Sequence, residues 1–510
     1  MRTVCALLGA ALLLSAGAAR ADEALPDLAA VRAHMKQANL KPAAWRETIV
    51  STSTDGLSTT VQHLHRGDDW RDIVERGPFH TEEGEVKGDA WHQNDNGQTV
   101  ADEPDPGHAA AEKTTTTLSR VHAPVEAYVI AVLNAHGWGD KEYVDPASWL
   151  VVRRETIGAS GTVVTRYDDV RAEAGRTFAH HWVTENAYSR TTHESRITAY
   201  GVSDVSADDV AMPPNRRTLV TFPPGVSAVP LPVKFGSEHV FVRITIGGRG
   251  LDFVLDTGAS GITLDNEVAR QLGLTAYGTH SAITAQRYTT ARTIVPEMRV
   301  GQLTMKNVAV QLVPDGANQA FGVKTVGLLG FDFLAELGVT IDYEHERVTA
   351  VPEPAYAAPA GKYVIPIDVR IGDGSPLVSV AVNGALGERF TLDTGGAGSF
   401  MIFDTFARKH PEALHDEGGG DQFARAMTFE GIGGAIRTQP YQIKNLKLGP
   451  ISFIDFVGYR VTSATSYEGD DDGIIGADFL KMFTLGLDYA NSRVYLVPNS
   501  LGRRVMRLPN

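Results

Sequence analysis

Phe253 to Leu264 reads FVLDTGASGITL, and Phe390 to Ile402 reads FTLDTGGAGSFMI. In both, an apolar run of β-forming residues ends abruptly in Asp-Thr-Gly, a tripeptide suited to a turn. A second pair of phrases lies downstream: VGLLGFDFLAELGVTIDYEHERVTAVP (Val326 to Pro352) and DGIIGADFLKMFTLGLDYANSRVYLVP (Asp472 to Pro498). The offsets nearly agree: 393 − 256 = 137, 476 − 330 = 146 and 488 − 342 = 146. Matched landmarks in the same order at a near-constant offset are the mark of an internal repeat. Each copy is rich in short β-type runs and glycine turns, which predicts a small β-barrel lobe for each.

One Asp-Thr-Gly is a weak signal, because Asp and Gly meet in turns for local reasons. Here it occurs twice, leaves an apolar strand twice, and is followed twice by an apolar-apolar-Gly segment, Leu328-Leu329-Gly330 and Ile474-Ile475-Gly476. This constellation, over roughly Val233 to Pro498, resembles the pepsin and retropepsin superfamily of aspartic peptidases. It is most similar to bacterial retropepsin-like proteins with two tandem lobes. The resemblance implies that Asp256 and Asp393 face one another as a catalytic pair. It also implies that Thr257 and Thr394 lock the turns together, while Gly258 and Gly395 leave room beside the carboxylates. Leu329, Gly330, Ile475 and Gly476 would thread behind the turns as scaffold. Two carboxylates held close cannot both ionise readily and share a proton, so one can act as base and the other as acid toward water and a peptide carbonyl. No covalent intermediate, cofactor or metal is needed.

Ser260, two residues after the first glycine, is expected to support the Asp256 carboxylate. The second copy has Ala397 at that place, with Ser399 displaced. Losing a hydrogen bond to the charged form predicts a higher pKa for Asp393 and an asymmetric pair working at weakly acid to neutral pH. FEGIGGAIR (Phe429 to Arg437) has the glycines of a hairpin flap at Gly431, Gly433 and Gly434. The matching stretch of the first copy, Ile283 to Ile294, lacks them; Tyr288 there reads as a flap aromatic or as a plain exposed strand residue. His80, His92, His180, His181 and His193 show no metal-ligand spacing and read as strand or surface positions. Asp342 and Asp488 read as turn or interface groups. No Gly-x-Ser-x-Gly elbow supports a serine hydrolase.

The 510 residues exceed one ordinary core. A net charge of −14 speaks against a nucleic-acid partner. Residues 1–21 have the form of a cleaved secretory signal, with Arg2, an apolar run from Val4 to Leu14, and Ala19-Arg20-Ala21. Periplasmic location, or full secretion, is therefore expected. The one cysteine, Cys5, lies within that signal, so no disulfide is expected in the mature chain. No later stretch is apolar for long enough to span a bilayer.

Residues 22–215 alternate like antiparallel strands, with a short helix expected over Glu126 to His136. Their rhythm is similar to periplasmic lipoprotein-carrier half-barrels, which implies an α+β sheet domain able to hold a lipid or peptide. An inhibitory or targeting segment is another reading of the same residues. Met212 to Pro232 carries six prolines, and 216–232 reads as a linker. The remainder divides into lobes at 233–352 and 353–510. The fold expected is thus mainly β, two homologous barrel lobes behind an N-terminal half-barrel. The function expected is an exported aspartic endopeptidase acting on peptide or protein substrates. The alternative is a non-catalytic periplasmic carrier that keeps the peptidase fold. With both carboxylates in one chain, a monomer is expected.

Overall fold

The computed structural model describes residues 25–508 except 103–113, 124, 159–160, 237, 284–286, 315–323, 373, 415–426, 432–433 and 463–470. The signal expected over 1–21 lies outside the described residues.

The chain is mainly β. Thirteen antiparallel strands form the N-terminal sheet, in which two meanders run outward from a central pair, Ala44–Ser53 beside Thr191–Val202. The helix Leu28–Ala38 packs Val31 against Tyr128, Ile130 and Val144 on that sheet. The helix expected over Glu126 to His136 is instead the strand Ala127–Leu133, paired on both sides. Val129, Ile130 and Val132 are stiff at χ1 and favour a pleated strand, and two neighbouring strands settle the choice.

The proline-rich stretch lies against the sheets that follow. Val220–Thr221 pairs with Thr304 and Met305, and Val229–Pro230 pairs with Thr349 and Ala350. Leu219, Val220, Val229 and Leu231 are buried there.

Beyond it lie three sheets. One is built from 220–329, one from 370–475, and a six-stranded sheet joins the two sequence repeats. In the joining sheet Leu337–Asp342 pairs antiparallel with Phe483–Asp488, with Thr340 opposite Gly486. Since 486 − 340 = 146, Thr340 faces the residue at its own repeat offset. The outer strands of this sheet are Val229–Pro230 and Ile365–Asp368. One continuous apolar core runs through both halves and includes Phe253, Phe333, Phe390 and Phe479. Apolar burial on this scale is the main stabilising term for a chain without disulfides.

Candidate active site

Strands Arg249–Leu255 and Ala385–Leu392 deliver Asp256 and Asp393 from buried apolar ends. Each lies parallel to the short strand downstream of it, Leu255 beside Leu329 and Leu392 beside Ile475. The Asp256 N–H donates to Leu329 O at 3.1 Å, and the Asp393 N–H to Ile475 O at 2.9 Å. Gly330 and Gly476 follow where side chains would collide: a Cβ would stand 2.3 Å from Ala259 O and 2.5 Å from Gly398 O, respectively.

The two turns are joined by their threonines, both fully buried. Thr257 Oγ1 donates to Leu392 O at 2.6 Å and accepts the Thr394 N–H at 3.0 Å. Thr394 Oγ1 donates to Leu255 O at 2.7 Å and accepts the Thr257 N–H at 3.1 Å. Both threonine hydroxyls and both threonine N–H groups are thereby satisfied, as burial demands. The glycines beside it allow the turns to meet. A Cβ on Gly258 would lie 2.6 Å from Asp393 Cγ, and one on Gly395 would lie 2.3 Å from Asp256 Cγ.

The Asp256 and Asp393 carboxyls consequently hydrogen-bond to each other. Burial, then the neighbouring negative charge, pushes Asp256 well above the ordinary carboxylate range. Burial also raises Asp393, but several groups favour its charged form. They are the hydrogen bond from Asp256, the Gly396 and Gly395 N–H groups at 2.7 and 2.9 Å, and the nearby His239. The backbone N–H of Gly396 thus serves Asp393, where Ala397 offers no hydroxyl. Ser260 is exposed, and the Asp256 side chain is served by its own turn in the same way as Asp393, by the N–H groups of Gly258, at 2.8 Å, and Ala259.

Of the flap candidates, Gly431 and Gly434 close the paired strands Met427–Gly431 and Gly434–Leu448, and Gly433 lies outside the described residues. Tyr288 sits half-buried in the strand Arg287–Val300, opposite Ala282. Burial raises its hydroxyl pKa, and Tyr188 of the N-terminal sheet adds to the effect. The histidines singled out from the sequence are in the N-terminal sheet: His80 meets Glu75 and Glu82, His92 meets Asp102, and His181 meets Asp168 and Glu194. His180 is buried and meets Glu173, and His193 contacts Thr191. Among the described residues no cluster of three or more His, Cys, Asp or Glu could hold a metal ion.

Three residues near the pair were not singled out from the sequence. His239 is buried, with Nδ1 3.3 Å from Thr394 O. Tyr343 and Tyr489 feel the dyad's charge, and burial followed by that charge raises both hydroxyl pKa values. The tyrosines close the repeated Ile-Asp-Tyr and Leu-Asp-Tyr phrases, so a signal for them was present. The aspartates of those phrases serve turns: Asp342 accepts the His345 N–H, and Asp488 holds Asn491. A cavity of about 420 Å³ borders His239 and Tyr343 and reaches Glu238, Lys481 and Arg504.

Comparisons with known proteins bear on the first half of this site. The family model for aspartyl protease matches residues 242–333. A curated protein, described as an uncharacterized protein in the cobV 5′ region of Sinorhizobium sp., is 29% identical over 128 residues, covering 24% of this chain and 52% of that protein. The chain thus spans about half the length of that relative. Among solved structures, a LolA superfamily protein from Nitrosomonas europaea aligns over 36% of this chain and 96% of its own, at 10% identity and TM-score 0.28. A putative outer membrane lipoprotein-sorting protein domain from Vibrio parahaemolyticus aligns over 36% and 94%, at 7% identity and TM-score 0.28. Residues 242–333, which carry Asp256 and the turn threaded behind it, form an aspartyl protease-like region.

Proposed function

We propose that the chain is an aspartic endopeptidase in which two retropepsin-like lobes each supply one carboxylate. The observation that carries this reading is the mutually hydrogen-bonded pair of buried Asp256 and half-buried Asp393, held by the reciprocal threonine bonds. A binding groove has no need of such a pair, since burying two acids together is costly unless they share a proton. In this reading the protein is exported by its N-terminal signal and meets peptides or proteins in the periplasm.

With one proton shared, one member of the pair is charged and the other protonated. The charged member, favoured at Asp393 by the nearby His239, takes a proton from a bound water as the water attacks the peptide carbonyl. The protonated member donates to the carbonyl oxygen. As the tetrahedral intermediate collapses and its C–N bond breaks, the first acid gives the water-derived proton to the nitrogen, which leaves as the amine. The second recovers a proton from a hydroxyl of the intermediate. Because the pair titrates as a unit, the singly protonated form spans a window whose upper edge lies well above ordinary carboxylates. Activity is therefore expected at weakly acid to neutral pH.

The test is hydrolysis of a quenched peptide library between about pH 3 and pH 8, the span over which perturbed carboxylates titrate. Asp256→Asn and Asp393→Asn should each lower the rate by at least about a thousandfold, the order expected when acid-base chemistry is removed. A folded wild type that cleaves nothing would favour a non-catalytic binding protein. Activity surviving either substitution would refute the dyad.

A further inference from the structure

The strands Asp89–Gln93 and Thr99–Ala101 of the N-terminal sheet are joined by Asn94-Asp95-Asn96-Gly97-Gln98, and this tip does not end in solvent. Asn94 Nδ2 donates to Asp332 Oδ1 and Asn96 Nδ2 to Asp332 Oδ2, both at 2.9 Å. Gln98 Nε2 donates to the Asp332 carbonyl at 2.6 Å. Asn96, Gln98 and Asp332 are all buried. Asn96 also bonds Ala309 in both directions: it donates to the carbonyl at 3.0 Å and accepts the N–H at 2.9 Å. Arg217 clasps the same residue, donating to Asn96 O and Oδ1 at 2.9 Å each.

Asp332 is two residues past Gly330, directly behind the Asp256 turn. Its Oδ2 accepts the Ile262 N–H at 3.3 Å and would stand 2.9 Å from a Cβ on Gly261. Next to it, the Phe331 N–H donates to Ala259 O at 2.9 Å. The tip thus reaches the catalytic turn through one carboxylate. The second repeat provides an internal comparison. Its equivalent residue is Asp478 (478 − 332 = 146), which is partly exposed and pairs with Lys481. The same sequence position faces water in one half and is capped by the N-terminal sheet in the other.

A separate set of contacts ties the same sheet to the hairpin of Tyr277–Ile283 and Arg287–Val300. Phe79 meets Tyr277 edge-on at 5.8 Å, and the Arg292 guanidinium lies 4.5 Å from the Phe79 ring centre while pairing with Asp95. The Ser281 N–H donates to Ser189 O at 3.1 Å. These contacts are made to Asp332, Ala309 and the hairpin strands, not to Asp256 or Asp393.

We infer that the N-terminal sheet is a brace for the catalytic half, in which Asn94, Asn96 and Gln98 are positioning residues that hold the Asp256 turn through Asp332. The sheet is therefore a working part of the enzyme and not an inhibitory segment to be removed. Its catalytic consequence rests on the peptidase reading; its mechanical content does not.

The physical basis is the cost of buried polar groups. Three amide side chains and one carboxylate are taken from water, and each is satisfied only in this docking register. Losing one partner leaves the others unpaired, so the interface resists sliding.

The test uses the full chain with Asn94→Ala, which removes one donor, and Asn96→Asp. The latter keeps the acceptor for Ala309 and Arg217 but sets a second carboxylate against Asp332. Hydrogen exchange would be followed by mass spectrometry in the segments 253–264 and 390–402, with peptide hydrolysis measured in parallel. In both variants exchange in 253–264 should quicken by about tenfold, the effect of one lost buried partner, while 390–402 stays unchanged. The kcat should fall by a similar factor with KM within about twofold, since the turn and not the substrate contacts has loosened. Unchanged exchange in 253–264, or equal loosening of both segments, would overturn the brace. If wild type cleaves no peptide, the peptidase reading fails, and the exchange comparison still decides the brace.

Discussion

The hydroxyls of Tyr343 and Tyr489 end in the interior without a hydrogen-bond partner among the described residues. A buried hydroxyl left unpaired brings its desolvation cost and no compensating bond. Tyr489→Phe should therefore change stability by less than about 1 kcal/mol in chemical denaturation. A loss above about 2 kcal/mol would show that the hydroxyl is satisfied in solution. The carboxylates themselves were legible at this scale, because Asp-Thr-Gly appears twice at one offset. The donors that serve them were not. Ala397 pointed to an undersupplied Asp393, whereas the donor that supplies it is the main-chain N–H of Gly396. Side-chain identity does not reveal where a backbone N–H points. His239 was equally hidden: nothing in a lone histidine at the head of a strand tells that it lies beside Thr394.

Among the elements, the paired turns impose the strictest spacing. Gly395 faces the Asp256 carboxyl so closely that even a methyl group must displace it. Gly395→Ala should reduce peptide hydrolysis by at least about a hundredfold, as misplacing a catalytic group by about 1 Å can do. Far-ultraviolet dichroism should keep its β signature, because the strands leading into the turn are untouched. Near-normal activity in that variant would mean that the turns have room to separate. The strands at Arg249–Leu255 and Ala385–Leu392 were readable as apolar runs stopped by turns. The strand Ala127–Leu133 was not, since a short apolar run fits either a buried helix or a buried strand and only its neighbours decide. The same limit applied to Val220–Thr221 and Val229–Pro230, two-residue strands hidden in a proline-rich stretch.

Across the whole molecule, the acids that burial raises set the response to pH. Asp332 is held up at about 7, mainly by burial, with Asp95 adding to the rise; the bonds from Asn96 and Ile262 and the charge of Arg217 oppose it. An unfolded aspartate titrates near 4. The folded state therefore binds the proton more strongly, and the associated stability is full below about pH 4. It is lost as pH rises through about 7. The raised dyad acts in the same sense. Asp55 and Asp342, held below the usual range, oppose it only as pH falls. The thermal midpoint should be higher at about pH 5 than at about pH 8, and Asp332→Asn should shrink that difference. An equal difference in the two proteins would mean that Asp332 does not titrate in this window. None of this coupling could be read from the chain, because Asn96 and Asp332 lie 236 positions apart and belong to no shared motif. The six-stranded sheet carries a further consequence. Its two outermost strands contain Pro230 and Pro366, which offer no N–H to an approaching strand. Such a border is a poor template for strand addition, so the seam uniting the two halves is shielded from runaway aggregation when the chain is crowded among others like it.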